Sequence, residues 1–259
     1  MSEVLGWPRL MAAGCRFQLK TMTQSSFFVL IAVIQPVIFA SIAFYLLGAG
    51  GRERLLYAGL GAGLMGVWST TLFGSGGFIN WERIQGTLES LVVTPAPLLV
   101  VLLGPILATA LFGMYAVVAT LAWGRLVFGM PLVLAHPLLF PLALVGTVLS
   151  LGLLGLVMAS TFILYRHANA LSNLLEYPVW LVSGLLVPLS MLPGWTHPLA
   201  WVLAPTWGVA AIRASVIGGE PWGPIAACFG LAAAYMVLAW VALRHFERLA
   251  RAEATLALS

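Results

Sequence analysis

Apolar residues in this chain come in long unbroken runs, with polar residues gathered in the short gaps between them. The first run, 27–47, reads FFVLIAVIQPVIFASIAFYLL. As a helix it reaches about 30 Å, one hydrocarbon core. Similar runs cover 55–74, 98–123, 138–164, 174–189 and 222–243. The pattern predicts an all-α membrane protein with six transmembrane helices. Residues 190–219 are apolar enough to suggest a seventh, but Pro193, Gly194, Pro198 and Pro205 interrupt them and Arg213 adds a charge. This stretch reads as a broken re-entrant hairpin between helices five and six, dipping into the outer leaflet. Irregular backbone at that depth has to be shielded by protein or face water.

The flanks follow a different period. On a helical wheel Arg9, Arg16 and Lys20 fall on one narrow stripe, with Trp7, Met11, Gly14, Cys15, Gln18 and Met22 opposite. That predicts an amphipathic helix in the membrane interface, basic residues toward anionic lipid and Trp7 buried. A plain topology anchor fits the same pattern. The tail RHFERLARAEA is amphipathic as well. The chain is thus expected to be one membrane domain, 1–259, made of an interfacial helix (1–26), a six-span core (27–243) and a tail (244–259). The first long apolar run starts too late and runs too long for a cleavable signal peptide.

Composition agrees with a bilayer as solvent. The 259 residues are 61% hydrophobic and 8% charged, against roughly a quarter charged in soluble domains. The net charge of +4 rests on arginine, since Lys20 is the sole lysine and aspartate is absent. These cations sit in the gaps between apolar runs, so they speak to membrane orientation rather than nucleic-acid binding. With six spans, one side carries Arg9, Arg16, Lys20, Arg83, Arg166, Arg244, Arg248 and Arg251, and the other Arg52, Arg54, Arg125 and Arg213. The eight-to-four bias places both termini in the cytoplasm. Cys15 and Cys228 lie too far apart in the pattern to pair, and no metal-ligand spacing occurs.

Candidate chemistry is sparse. No Gly-rich phosphate loop ends in Lys-Ser/Thr, so the chain is not expected to hydrolyse ATP by that route. The carboxylates fall outside the spans, apart from Glu176 at the expected cytoplasmic start of the fifth. No mid-membrane proton relay is predicted. The substantial polar gap is 80–97, NWERIQGTLESLVVTPAP, where Glu82, Arg83, Gln85 and Glu89 alternate with Ile84, Leu88, Leu91 and Val92. Read as a helix, it puts Glu82 and Glu89, seven residues apart, on one face. Such an element could meet a soluble motor or simply reverse the chain.

Resemblance separates these readings. Glu82-Arg83 followed by Gly86-Thr87-Leu88-Glu89 and Thr94-Pro95 closely resembles the signature of the ABC type-2 transporter permease family. The segment NALSNLLEYPVWLVSGLLVPLSMLPGWTHPLAWVLAPTWGVAAIR resembles that family's fifth span and outer hairpin, with Ser183-Gly184, Pro188, Pro193, Pro205 and Arg213 in place, and Gly194 belongs to the same hairpin. Glu176-Tyr177 departs from the usually apolar family pattern at that point. The resemblance implies a permease subunit of an exporter for an amphiphile (lipid, glycan, drug or peptide) in a bacterial cytoplasmic membrane. It implies pairing with a second, identical or homologous permease and with a separate ATP-binding cassette subunit that holds the ATP and Mg. This chain itself is expected to hold no cofactor. By resemblance, the N-terminal helix and the loop residues Glu82, Arg83, Gly86, Thr87, Glu89, Thr94 and Pro95 contact the motor, and spans one, two and five line the route.

The residues of those spans give partial support. Gly59, Gly63 and Gly66 make a small-residue face for close helix approach. Trp68, Thr71 and Phe73 in span two, with Tyr177, Trp180 and Ser183 in span five, set aromatics beside hydroxyls, which suits an amphiphile. Ordinary helix packing accounts for the same residues. A secondary transporter and an intramembrane enzyme built on Ser183 are the rival readings. The first lacks a mid-membrane acid in the pattern and the second a histidine partner.

Overall fold

The computed structural model describes residues 6–47, 52–130, 134–164 and 168–253. Arg166 lies outside these, and the side chains of Arg52, Glu89 and Arg251 lie outside the described ones. The described residues are helical or irregular. In chain order the helices are α1 (Trp7–Gln24), α2 (Ser26–Leu47), α3 (Arg52–Ile84), α4 (Leu88–Val93), α5 (Leu98–Phe128), α6 (Leu139–Leu164), α7 (Ala168–Val182), α8 (His197–Val202), α9 (Ala204–Ile217) and α10 (Trp222–Glu253). Two short 3-10 turns, Leu189–Met191 and Gly194–Thr196, precede α8.

The long helices run up and down, so the bundle has two unlike ends. The basic end gathers α1, the last turns of α3 and α10, and the first turn of α5. The hairpin end gathers α8, α9 and the start of α3. α3 is the axis: it touches α2, α5, α6, α7 and α9. Its apolar stretch is 83% buried, whereas that of α10 is 28% buried. α10 is therefore an outer helix whose wide apolar surface is solvated by lipid. Small residues let α3 and α5 touch at backbone distance. A Cβ on Gly63 would stand 2.8 Å from the Val117 Cα, and one on Gly74 would stand 2.6 Å from the Thr109 Cγ2. Without a hydrophobic driving force between helices in lipid, such close packing supplies the attraction.

Among the described residues four helices are long and apolar enough to cross a membrane: Arg54–Ile84, Leu98–Phe128, Leu139–Ile163 and Trp222–Arg248. α2 has the length, at 22 residues. Its described apolar part is Ile34–Tyr45. The fifth expected span differs. Instead of 174–189, the helix is α7, 15 residues long, about 22 Å and short of the ~20 residues a full crossing takes. It stops because Gly184 takes φ +80°, a left-handed conformation that ends helices. The break between helices five and six is as the prolines predict: Gly194–Val202 and Ala204–Ile217 meet at 90°. α9 is packed against α6, α10 and α3, whereas the irregular stretch before it is largely exposed, with Met191, Trp195 and Trp201 at its surface.

α3 also runs farther than the apolar pattern suggests. It continues through Asn80, Glu82 and Arg83 to Ile84, because those polar residues are good enough helix formers once outside the hydrocarbon. The next helix, α4, has six residues. Glu82 and Glu89 therefore do not share one helix face, since a turn at Gly86 separates them.

Candidate functional site

At the basic end, the turn after α3 is a Schellman stop. Thr87 N–H donates to the Glu82 carbonyl at 2.9 Å and Gly86 N–H to the Arg83 carbonyl at 3.1 Å. Gly86 supplies the left-handed residue, φ +69°. Thr87 Oγ1 then donates to the Glu82 carboxylate at 2.5 Å. The Glu-x-x-x-Gly-Thr spacing is thus a helix terminator whose side chains close on themselves. Arg83 donates to the carbonyls of Ile163 at 2.8 Å and Phe162 at 3.4 Å, covering the C-terminal, negative end of α6. Thr94 Oγ1 returns to the Ser90 carbonyl at 2.8 Å, and exposed Pro95 follows as chain breaker. The first turn of α5 is capped from a distance: Leu98 N–H donates to Glu247 of α10 at 2.7 Å.

α1 lies against this end. The wheel face Trp7, Met11, Gly14, Cys15, Gln18 and Met22 is the covered one, with Gln18 and Met22 buried, while Arg9, Arg16 and Lys20 are exposed. The covering partner is α5, an addition to the interfacial picture. A Cβ on Gly104 would run into the Met11 carbonyl and stand 3.1 Å from Cys15 N, and one on Gly14 would stand 2.9 Å from Pro105 Cδ. Between α1 and the end of α3 a crevice of about 390 Å³ remains, lined by Phe17, Gln18, Met22, Phe78, Trp81 and Glu82 among others. Phe17 is 59% exposed, Trp81 56% and Ile84 69%. A rim of exposed aromatic and aliphatic side chains around a cleft is what a partner protein's anchor residues fill. The sequence pattern gave no sign of Phe17 and Trp81, because each reads as one more apolar residue at a helix end.

The expected route residues divide. Trp68, Trp180 and Ser183 are buried on or beside the contact between α3 and α7, and Tyr177 is 60% exposed on the flank of α7. Thr71 packs toward α6, where a Cβ on Gly155 would meet its Cγ2 at 2.8 Å, so it stands apart. Phe73 is half-buried. Trp180 joins Phe39 of α2 and Tyr177 in two edge-to-face pairs, each with centroids 5.1 Å apart. The surprise is Glu176. It sits inside the bundle, 4% exposed, and Ser69 Oγ donates to its carboxylate at 2.5 Å. The expectation that no acid lies within the bundle is corrected here. The apolar run in the sequence starts near 174, whereas α7 begins at Ala168 and carries Glu176 inward on the face of Ser172, Val179 and Trp180.

At the hairpin end the helix break of α7 is closed by Arg213 of α9. Its guanidinium donates to the carbonyls of Gly184 at 2.8 Å, Leu185 at 3.1 Å and Tyr57 at 3.2 Å. It lies 3.3 Å from the centroid of the Tyr57 ring. Tyr57 Oη donates to Gly184 as well, at 3.3 Å. One planar cation thus ties α3, the end of α7 and α9 together, using the fixed fork that lysine lacks. Pro188 and Pro193 each precede a 3-10 turn, and Pro205 opens α9. Gly194 has open space about it. Tyr235 of α10 hydrogen-bonds the Val202 carbonyl and holds the end of α8.

No curated protein matches the sequence. Residues 10–217 match the family described as ABC-2 type transporter. That range takes in α1 from Leu10 onward, the Schellman turn, the buried α3–α7 seam and the Arg213 clasp, and on it this multi-pass, all-α membrane protein belongs to the ABC-2 type transporters, as a transport permease.

Proposed function

We propose that the chain is the membrane half of an ATP-driven exporter that moves an amphiphile outward, two permease halves working with a separate ATP-binding subunit. The observation that carries this reading is the crevice at the basic end. It lies between the amphipathic α1 and the last turn of α3, is rimmed by exposed Phe17 and Trp81, and is bordered by a turn whose own polar groups are internally satisfied. A rigid turn beside an unfilled apolar cleft suits a motor that pushes rather than one that grips by charge. On this reading Trp81 and Phe17 carry the docking energy. Glu82 and Glu89 contribute less, since pairs at a wet interface are worth under about 1 kcal/mol each.

The test is co-purification of the ATP-binding subunit with full-length chain. Trp81→Ala combined with Phe17→Ala should weaken recovery at least about 30-fold, the size expected of buried anchors, and abolish substrate-stimulated ATPase activity in proteoliposomes. Glu82→Lys with Glu89→Lys should weaken it less than tenfold. Normal recovery and stimulation in the aromatic double variant would refute motor docking in the crevice. Transport that persists without ATP would instead assign an ion-coupled mechanism.

The same reading sets the basic end in the cytoplasm of a bacterial inner membrane, with both termini inside. The bias of basic residues supports this orientation. A cysteine at position 251, in a chain with Cys15 and Cys228 replaced, should resist impermeant maleimide in intact cells and react after lysis. Labelling from outside intact cells overturns the orientation.

A further inference from the structure

Glu176 is the buried acid that the export reading leaves without a role. Ser69 lies near the middle of α3, 15 residues before Ile84, or about 22 Å along the axis. The carboxylate bonded to it is therefore well inside the bundle. Among the described residues no arginine or lysine pairs with Glu176. Arg83 is spent on the carbonyls of α6 and Arg213 on those of the hairpin clasp. A lone carboxylate so placed is costly, by several kcal/mol, unless it takes up a proton or a cation joins it.

Its neighbourhood holds further unmet valence. The indole N–H groups of Trp68 and Trp180 and the hydroxyl of Ser183 are buried and have no hydrogen-bond partner among the described residues. Trp68 is next in sequence to Ser69. Trp180 follows Glu176 by four residues on the same face of α7, and Ser183 follows by seven, one position past the helix's last residue. Orphaned polar groups in a native interior point to something that completes them. The aromatic run then leads outward: Phe39 and Tyr177 both stack on Trp180, and Tyr177 is 60% exposed. Aromatic faces attract a cation and also accept an apolar chain.

We propose that the α3–α7 seam is the head-group site for the transported amphiphile, and that the head is a protonated amine flanked by hydroxyl or carbonyl oxygens. Glu176 pairs with the ammonium. The ring of Trp180 flanks it, and the indole N–H groups and Ser183 donate to the neighbouring oxygens. Tyr177 marks the flank from which the head enters as α7 separates from α3. The proposal rests on the export reading for its direction only, because binding needs no motor.

The probes are a tritiated long-chain 2-amino-1,3-diol and the same compound N-acetylated, bound to full-length chain in neutral-lipid nanodiscs. Wild type should bind the amine at least about tenfold more tightly, as a desolvated charge pair does. Glu176→Gln should bring the amine down to the N-acetyl level, and Glu176→Asp should keep the preference. A second measurement needs no variant. The amine, but not its N-acetyl form, should protect Glu176 from modification by dicyclohexylcarbodiimide, read by mass spectrometry. Equal affinity for the two probes, a preference that survives Glu176→Gln, or absent protection overturns the site. With a motor present the two readings separate. Amine binding without ATP-dependent transport leaves the site and refutes the exporter. ATP-dependent transport of a neutral amphiphile by a chain indifferent to the amine refutes the site and leaves the exporter.

Discussion

Arg213→Ala is expected to lower the thermal midpoint of the purified chain by about 10 °C. The side chain satisfies the carbonyls of Gly184, Leu185 and Tyr57. Each buried carbonyl left without a donor costs about 1–3 kcal/mol, and a chain of this size loses roughly 2–4 °C per kcal/mol. The stacking on Tyr57 is lost too. Arg213→Lys should recover part of the loss, because an ammonium offers donors but not the flat fork that reaches two strands of carbonyls while lying on a ring. Fluorescence-detected gel filtration after heating measures both. A wild-type midpoint for the alanine variant would mean that water replaces the guanidinium and that the clasp does not hold the hairpin. The space is shared with Gly61, where a Cβ would stand 2.8 Å from Arg213 Nη2 and collide with the Leu185 carbonyl. Gly61→Ala should therefore reproduce the defect with the arginine still present.

Gly104→Val should detach α1 from the bundle without preventing insertion. The helices cross where Gly104 faces the Met11 carbonyl and Cys15 N, and a branched side chain has nowhere to go. Overpacking of this kind costs about 1–3 kcal/mol, which a short surface helix answers by leaving. Cys15 reports the release. Its thiol is half-buried at this crossing, and burial pushes its pKa above the ordinary thiol value. At neutral pH the docked thiol is thus even less ionised than a free one, and undocking raises the thiolate fraction that alkylates. Maleimide should label Cys15 at least about tenfold faster in the variant, as access and ionisation both improve, while Cys228, fully buried, stays unlabelled. Recovery of the ATP-binding subunit should fall with it. Labelling at the wild-type rate would show that α1 stays docked despite the side chain.

Much of this architecture is written in periodicity. A 3.6-residue repeat put Trp7, Met11, Gly14, Cys15, Gln18 and Met22 on one face of α1, and that face is the covered one. The same repeat is silent about what covers it, since lipid and the flank of α5 are equally apolar. The helix break at the hairpin was legible because proline and glycine act locally. Arg213 was visible as a charge in an apolar stretch, but its three carbonyl partners come from α3 and the end of α7, 28 to 156 residues away. No window along the chain contains them. Glu176 shows the opposite error. A start for the fifth helix set six residues late moved a buried acid to the expected rim. The stop after α3 carries a family signature with a local physical meaning: Glu82, Gly86 and Thr87 are the three positions a Schellman turn closed by a carboxylate requires.

α3 gives the molecule a mechanical property that no single contact conveys. Its 33 residues form one helix, about 50 Å long, against a hydrocarbon core of roughly 30 Å. Trp81 at the crevice and Tyr57 at the clasp are both on it, 24 residues or about 36 Å apart. The rod has no joint between them, so the two faces of the membrane cannot be displaced independently. A tilt of about 5° about its middle moves Tyr57 and Trp81 by roughly 1.5 Å in opposite directions, which is enough to break or make the hydrogen bonds at Tyr57. The seam with Glu176 lies near the pivot, where translation is least and rotation about the helix axis would change what its side chains face.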